Sequence, residues 1–197
     1  MTSAAYLIRH SLTEANEKRL YCGKTDLPLS KDGISLAMEL KRQEIYKLPE
    51  GCKFFTSGMR RTDETLRLLF GEVNFTKVPE LREIDFGSFE MLSYAELKDR
   101  EDYKLWLKGD NEKNPCPHGE SAVDMEKRVI PAIRAIFKEK SSVTVTHGGV
   151  IACIMAQFFP HEGKNRYQWQ PAPAEGYRLL LKDSIPVGYE WLHRNTK

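Results

Sequence analysis

Arg9 and His10 close an apolar run, "AAYLIRH", and three other short segments set comparable chemistry where a strand gives way to a loop. They are "TSGMRRTDET", with Arg60 and Arg61; "LREIDFG", with its carboxylates; and "VTVTHGG", with His147. One Arg-His pair alone reads as a surface pair. Four such segments read differently, because ligands of an open α/β sheet bind outside the carboxyl ends of its strands. Guanidinium forks match phosphate oxygens, and helix N-termini add oriented N–H donors. A neutral imidazole is a competent nucleophile near pH 7, since its reference pKa is about 6.5. An alkoxide leaving group needs a proton from a nearby acid. Together these parts describe phosphoryl transfer through a phosphohistidine.

The elements that must position these groups alternate along the chain. "AAYLIRH" and "CKFFTS" read as short buried strands, "VNFTKV" as a third, and "SSVTVTH", rich in β-branched residues, as the central one. Helical spacing runs through "SKDGISLAMELKRQEIYK", capped by Ser30, and through "MRRTDETLRLLFG", ending at Gly71. It returns from Ser121 to Lys140, where Pro131 is expected to kink it, and in "GVIACIMAQFF". "GYRLLLKD" and "VGYEWLHR" form an edge hairpin with its turn at Asp183–Pro186. Such alternation predicts an α/β fold: a three-layer α/β/α sandwich with a mostly parallel sheet and helices on both faces. Residues 1–197 are expected to form a single domain, with 88–121 as a small inserted lid that sets specificity.

In motif order the chain resembles the histidine phosphatases, the phosphoglycerate-mutase-like superfamily. Arg9, His10, Thr13 and Asn16 match that family's opening signature, and Gly23, Asp26, Pro28, Leu29 and Gly33 its next segment. Ser57, Arg61 and Thr65 match a third motif; "LREIDFGSFE", "HGES" and "VTVTHGG" are similar to the rest. The resemblance implies a phosphoric monoester hydrolase of the histidine acid-phosphatase type. It makes His10 the nucleophile, Glu83 the acid and then the base, and Arg9, Arg61 and His147 the holders of the phosphoryl group. Asn16 and the Gly148 N–H would assist them, and no metal or other cofactor is implied. The register selects Arg61 over its neighbour Arg60, and Glu83 is favoured over Asp85. Tyr21 and Cys22 are candidates for the pocket wall. His118 reads either as a substrate contact or as a loop-surface residue; His161 and His193 read as surface, and Trp106 and Trp169 as core or rim packing.

Three positions depart from the family pattern: Ser11 and Met91 replace glycines, and Phe89 replaces a tryptophan. Serine at position 11 would be costly if φ were positive there. Phe89 and Met91 are expected to alter the pocket wall. The short α-ribazole-phosphatase-type members are the most similar branch, which makes α-ribazole phosphate the leading substrate. The alternatives are a phosphoglycerate mutase and a phosphate-binding scaffold without turnover.

The totals fit a small-molecule enzyme. A chain of 197 residues with 41% hydrophobic and 29% charged side chains can bury one core, and a net charge of +2 gives no argument for nucleic acid. No apolar run has the length of a membrane span and the N-terminus lacks a signal-peptide pattern, so a cytoplasmic protein without membrane partners is expected. The four scattered cysteines predict reduced thiols rather than disulfides or a zinc site. Oligomeric state has no sequence signature here.

Overall fold

The first strand, β1 (Ser3–Arg9), is buried on both sides, and its alternating side chains separate two cores. Ala5 and Leu7 face one cluster, Ala4, Tyr6 and Ile8 the other. That double burial requires helices on both faces, as the uninterrupted apolar run implied. The computed structural model describes residues 3–108 and 112–194. Along the chain β1 is followed by α1 (Glu14–Glu17), α2 (Lys31–Arg42), β2 (Lys53–Thr56), α3 (Arg60–Phe70) and β3 (Phe75–Lys77). Then come α4 (Tyr94–Leu97), α5 (Glu101–Lys108), α6 (Ala122–Ile136), β4 (Ser141–Thr146) and α7 (Gly148–Phe158). The chain closes with α8 (Arg166–Trp169), β5 (Gly176–Lys182) and β6 (Ile185–Leu192). Short 3₁₀ turns occupy Pro79–Leu81, Gly87–Phe89 and Pro160–Glu162.

The six strands form one sheet in the order β3-β2-β4-β1-β5-β6. The first four are mutually parallel, whereas β5 and β6 are antiparallel additions. Residues of α2 and α3 pack on one face and residues of α6 and α7 on the other, as predicted. Parallel register has a direct consequence: Arg9 pairs with Thr146, and Thr56 with Val145. The ends of β1, β4 and β2 therefore lie side by side.

Local signals set most boundaries. The Ser30 hydroxyl caps α2 by accepting from Gly33 N at 3.0 Å, and α3 stops at Gly71, whose φ of 81° suits glycine. Four details differ from expectation. Helix α2 ends at Arg42, because Glu44 turns to φ 50° and releases Ile45 and Tyr46 to pack outside the helix on the α2/α3 side. Helix α6, with Pro131 inside it, ends at Ile136 rather than Lys140. The edge strand β3 has only three residues. The hairpin turn is the two-residue Asp183–Ser184, both at positive φ, which matches the twist of the flanking strands. Pro186 thus lies in the edge strand, next to a register shift, where a missing N–H is tolerated.

The segment 88–121 has its own small core. Phe89, Leu97, Tyr103 and Cys116 are buried together, with Tyr21, Leu92 and Trp106 against them. Phe89 is therefore packing, wholly buried, rather than part of a pocket wall. Met91 carries the positive φ, 61°, that a glycine would favour, and its N–H donates to Tyr21 O at 2.7 Å.

Candidate active site

His10 follows β1 directly, and its N–H continues the ladder by donating to Thr146 O at 2.8 Å. The imidazole is 6% exposed. Its Nδ1 lies 2.6 Å from Ser11 O; a carbonyl only accepts, so the proton sits on Nδ1 and Nε2 keeps its lone pair. Ser11 itself has negative φ, and the strain expected of serine there does not arise. Its hydroxyl instead donates to Gly33 O at 2.7 Å, and its N–H to Thr65 Oγ1 at 2.9 Å, so serine anchors the loop.

His147 caps the start of α7, wholly buried, with its ring centroid 5.2 Å from that of His10. Its tautomer follows from a chain of hydroxyls. Thr62 Oγ1 donates to Met59 O at 2.7 Å, so Ser57 Oγ must donate to Thr62 (3.1 Å) and accept from His147 Nε2 (2.8 Å). That leaves His147 Nδ1 as acceptor for Arg61 Nε at 3.3 Å.

Arg61 is buried and Arg9 partly buried. Arg61, 1% exposed, donates through Nη1 to Thr25 O and through Nη2 to Gly23 O, each 2.7 Å. Arg9 donates through Nη1 to Pro171 O at 2.9 Å, while its buried Nε has no partner. Neither guanidinium has a carboxylate within ion-pair distance among the described residues. The Gly148 N–H likewise has no protein acceptor among them. Glu83 faces this cluster from the 79–86 segment, accepting from Ile84 N through Oε1 (3.0 Å) and from Gly149 N through Oε2 (2.9 Å). Its charge acts on both arginines. A Cβ at position 149 would stand 2.4 Å from Glu83 Oε1 and would push the carboxyl group aside.

Burial, with the charges of Arg61 and Arg9 next, holds the His10 pKa well below that of free imidazole. Burial and then Arg61, His10 and Arg9 do the same to His147. Both rings are neutral at pH 7. In the unfolded chain they titrate near pH 6.5, so below that value the unfolded state binds more protons. Stability is therefore expected to fall as pH drops from about 6.5 toward 5, by up to about 1.4 kcal/mol per pH unit for each ring. Urea midpoints in phosphate-free buffer at pH 7.5, 6.5 and 5.5 check this. A midpoint that does not move would show that the rings are not held neutral.

The other expected residues are placed as follows. Asn16 spends its Oδ1 on the cap of α1, accepting from Thr13 N (3.0 Å) and Thr13 Oγ1 (2.9 Å), which leaves only Nδ2 free to meet a ligand. Tyr21 lines the cavity beside Glu83 and shares a 2.6 Å hydroxyl contact with Tyr103. Cys22 does not line it; its thiol points to Thr25 O at 3.6 Å. Asp85 is occupied by Gly87 N and by Lys24, and Arg60 by Glu64. His118 is exposed, at φ 60°, and lies outside the cavity lining. Trp169 is core, whereas Trp106 packs in the insertion and also lines the cavity.

Glu90 was missed. Its carboxylate accepts from the N–H groups of Gly23 (2.9 Å), Lys24 (3.0 Å), Thr25 (3.3 Å) and Phe86 (3.1 Å), and from Thr25 Oγ1 (2.7 Å). It thereby shapes the loop whose carbonyls hold Arg61. Its only sequence signal was its place at the end of "LREIDFGSFE".

The cavity beside Glu83 has a volume of about 740 Å³. Its walls combine Tyr21, Phe86, Trp106 and Tyr167 with small apolar residues of α7. Two cations stand there, each within ion-pair distance of a carboxylate: Lys164 of Glu162 (3.4 Å) and Arg166 of Glu112 (3.3 Å), and Glu83 and Glu126 also line the wall. Among the described residues no cluster of three or more His, Cys, Asp or Glu side chains could hold a metal ion.

Residues 5–189 match the model of the histidine phosphatase superfamily, branch 1. The adenosylcobalamin/α-ribazole phosphatase of Escherichia coli K12 is 30% identical over 162 residues, 77% of each chain. The 6-phosphofructo-2-kinase/fructose-2,6-bisphosphatase of Gallus gallus is 32% identical over 79% of this chain, which spans only 32% of that longer protein. In fold, the chain is similar to an Escherichia coli K-12 protein provisionally assigned as an α-ribazole-5′-P phosphatase. The TM-score is 0.82 at 23% identity, covering 98% of this chain and 96% of the other.

Proposed function

The chain belongs to the histidine phosphatase superfamily, and from that premise we propose that it hydrolyses a small phosphomonoester whose leaving group is uncharged and carries a ring. One observation carries the reading. Two guanidiniums without carboxylate partners, Arg61 buried and Arg9 partly buried, stand beside two neutral imidazoles, a cluster of uncompensated positive charge suited to a phosphate dianion. His10 Nε2 attacks phosphorus, and Arg9, Arg61 and the Gly148 N–H take the equatorial oxygens. The P–O bond to the leaving group breaks as that oxygen takes a proton from Glu83 in its acid form. Water then attacks the phosphohistidine and gives a proton to the Glu83 carboxylate. The N–P bond breaks, and neutral His10 and inorganic phosphate return. No step asks for a metal ion, because the guanidiniums supply the positive charge.

The cavity wall supports the substrate class. Aromatic faces favour a flat ring, and the three carboxylates in the lining, Glu83, Glu112 and Glu126, disfavour a second anionic group. Segment 88–121 contributes Trp106, Leu107 and Glu112 to that wall, in keeping with a lid that selects the leaving group. α-Ribazole phosphate suits these walls; fructose 2,6-bisphosphate and 3-phosphoglycerate, each with an extra charge, do not. The kcat/KM for α-ribazole phosphate is expected to exceed that for either by at least about 100-fold, equivalent to about 2.7 kcal/mol. A preference for the doubly anionic substrates, or isomer exchange of 3-phosphoglycerate primed with the bisphosphate, would replace this reading with the mutase one.

A further inference from the structure

Four consecutive carbonyls, those of residues 80 to 83, are each held by a side chain from another element. Arg128, on α6, donates through Nη1 to Glu80 O and Arg82 O, both at 2.7 Å, and through Nη2 to Glu83 O at 3.1 Å. Thr146, the last residue of β4, donates from Oγ1 to Leu81 O at 2.7 Å. The remaining N–H groups of Arg128 go to Glu120: Nε to Oε1 at 2.9 Å and Nη2 to Oε2 at 2.7 Å. Glu120 Oε2 also accepts from Asp85 N at 3.1 Å. All five donors of the guanidinium are thus engaged by protein.

The 82–86 stretch lies outside every helix and strand, so no ladder fixes its path. Backbone groups in such a segment need partners, and a planar fork can serve several carbonyls at once where an ammonium cannot. We infer that Arg128, braced by Glu120 and seconded by Thr146, is the positioning residue that sets the Glu83 carboxyl against the leaving oxygen. It does not hold phosphate, having no donor left to offer. This rests on the proposed role of Glu83 as the acid. A displacement of about 1 Å in a reacting group is enough to cost a factor of about 100, so the clamp matters to rate even where the fold survives without it.

The test separates proton donation from everything else by the leaving group. Benzyl phosphate departs as an alkoxide and needs the acid, whereas 2,4-dinitrophenyl phosphate departs as a stable phenolate and does not. Because kcat/KM covers only the steps through phosphorylation of the enzyme, the later use of Glu83 as base does not interfere. In Arg128→Met, kcat/KM is expected to fall about 100-fold on benzyl phosphate and less than about fivefold on the dinitrophenyl ester. Arg128→Lys keeps the charge that His147 senses but loses the fork, and should behave like the methionine variant. Glu120→Gln and Thr146→Val, which disturb the clamp less, should show the same selectivity with losses of about 10-fold on benzyl phosphate, and they serve if Arg128→Met does not fold. Equal losses on both esters, or recovery in the lysine variant, would overturn the inference. Glu83→Gln is the reference: if it shows no dependence on the leaving group, the assignment of the acid itself fails, and the clamp loses its purpose with it.

Discussion

Replacing His10 with alanine is expected to remove turnover, lowering kcat/KM on the order of 10⁴-fold or more, as for other nucleophiles of covalent mechanisms. The side chain is buried, its Nδ1 proton is committed to Ser11 O at 2.6 Å, and Nε2 is the one atom left to bond phosphorus. No neighbour can take over. The Nδ1 of His147 faces Arg61 Nε and its Nε2 faces Ser57, so both of its nitrogens are already engaged. Rapid quenching of the wild-type protein with labelled substrate should trap an alkali-stable, acid-labile phosphoryl group, absent from His10→Ala. Phosphate release from the variant within a factor of ten of wild type would mean that water attacks the substrate directly.

The second large effect is expected at Arg61, even for the change to lysine that keeps the charge. Arg61 is fixed at Nη1 and Nη2 by Thr25 O and Gly23 O, and that loop is itself fixed by Glu90. A lysine ammonium cannot meet both carbonyls and a phosphoryl oxygen in the same plane. Arg61→Lys should therefore lose about 10²–10³-fold in kcat/KM, as expected when a preorganised donor is misplaced. It should also lose most of the rise in melting temperature that orthovanadate or phosphate gives the wild-type protein. A variant with both properties near wild type would show that charge alone, rather than the fork, holds the anion. Gly23 reinforces the point: a Cβ there would collide with Ile84 O at 1.6 Å, so the loop that grips Arg61 is pressed against the segment carrying Glu83.

Much of this was readable before any coordinates. The double-sided apolar run of β1, the β-branched run of β4, the Ser30 cap and the Gly71 stop are local patterns, and each is governed by contacts within a few residues. Once those elements form a parallel sheet, register alone brings Arg9 and His10 beside His147. The hairpin was equally legible, but its turn was misplaced because positive φ at Asp183 and Ser184 is not signalled by a glycine. Likewise the pattern of α2 ran on past Arg42, since Ile45 keeps the helical spacing while serving a different packing surface.

What the chain by itself determined was the list of reacting groups and the edge of the sheet on which they meet. Tertiary structure decided their protonation and their aim. The lone pair on His10 Nε2 depends on the path of the Ser11 carbonyl, and the tautomer of His147 on two hydroxyls about 90 residues away in the sequence. The guanidinium of Arg128 meets carbonyls 45 and more residues distant. Such contacts join irregular backbone to side chains of remote elements, and no periodicity encodes them. They exist only when packing has fixed both partners at once, so composition and spacing named the chemistry while the folded loops set its geometry.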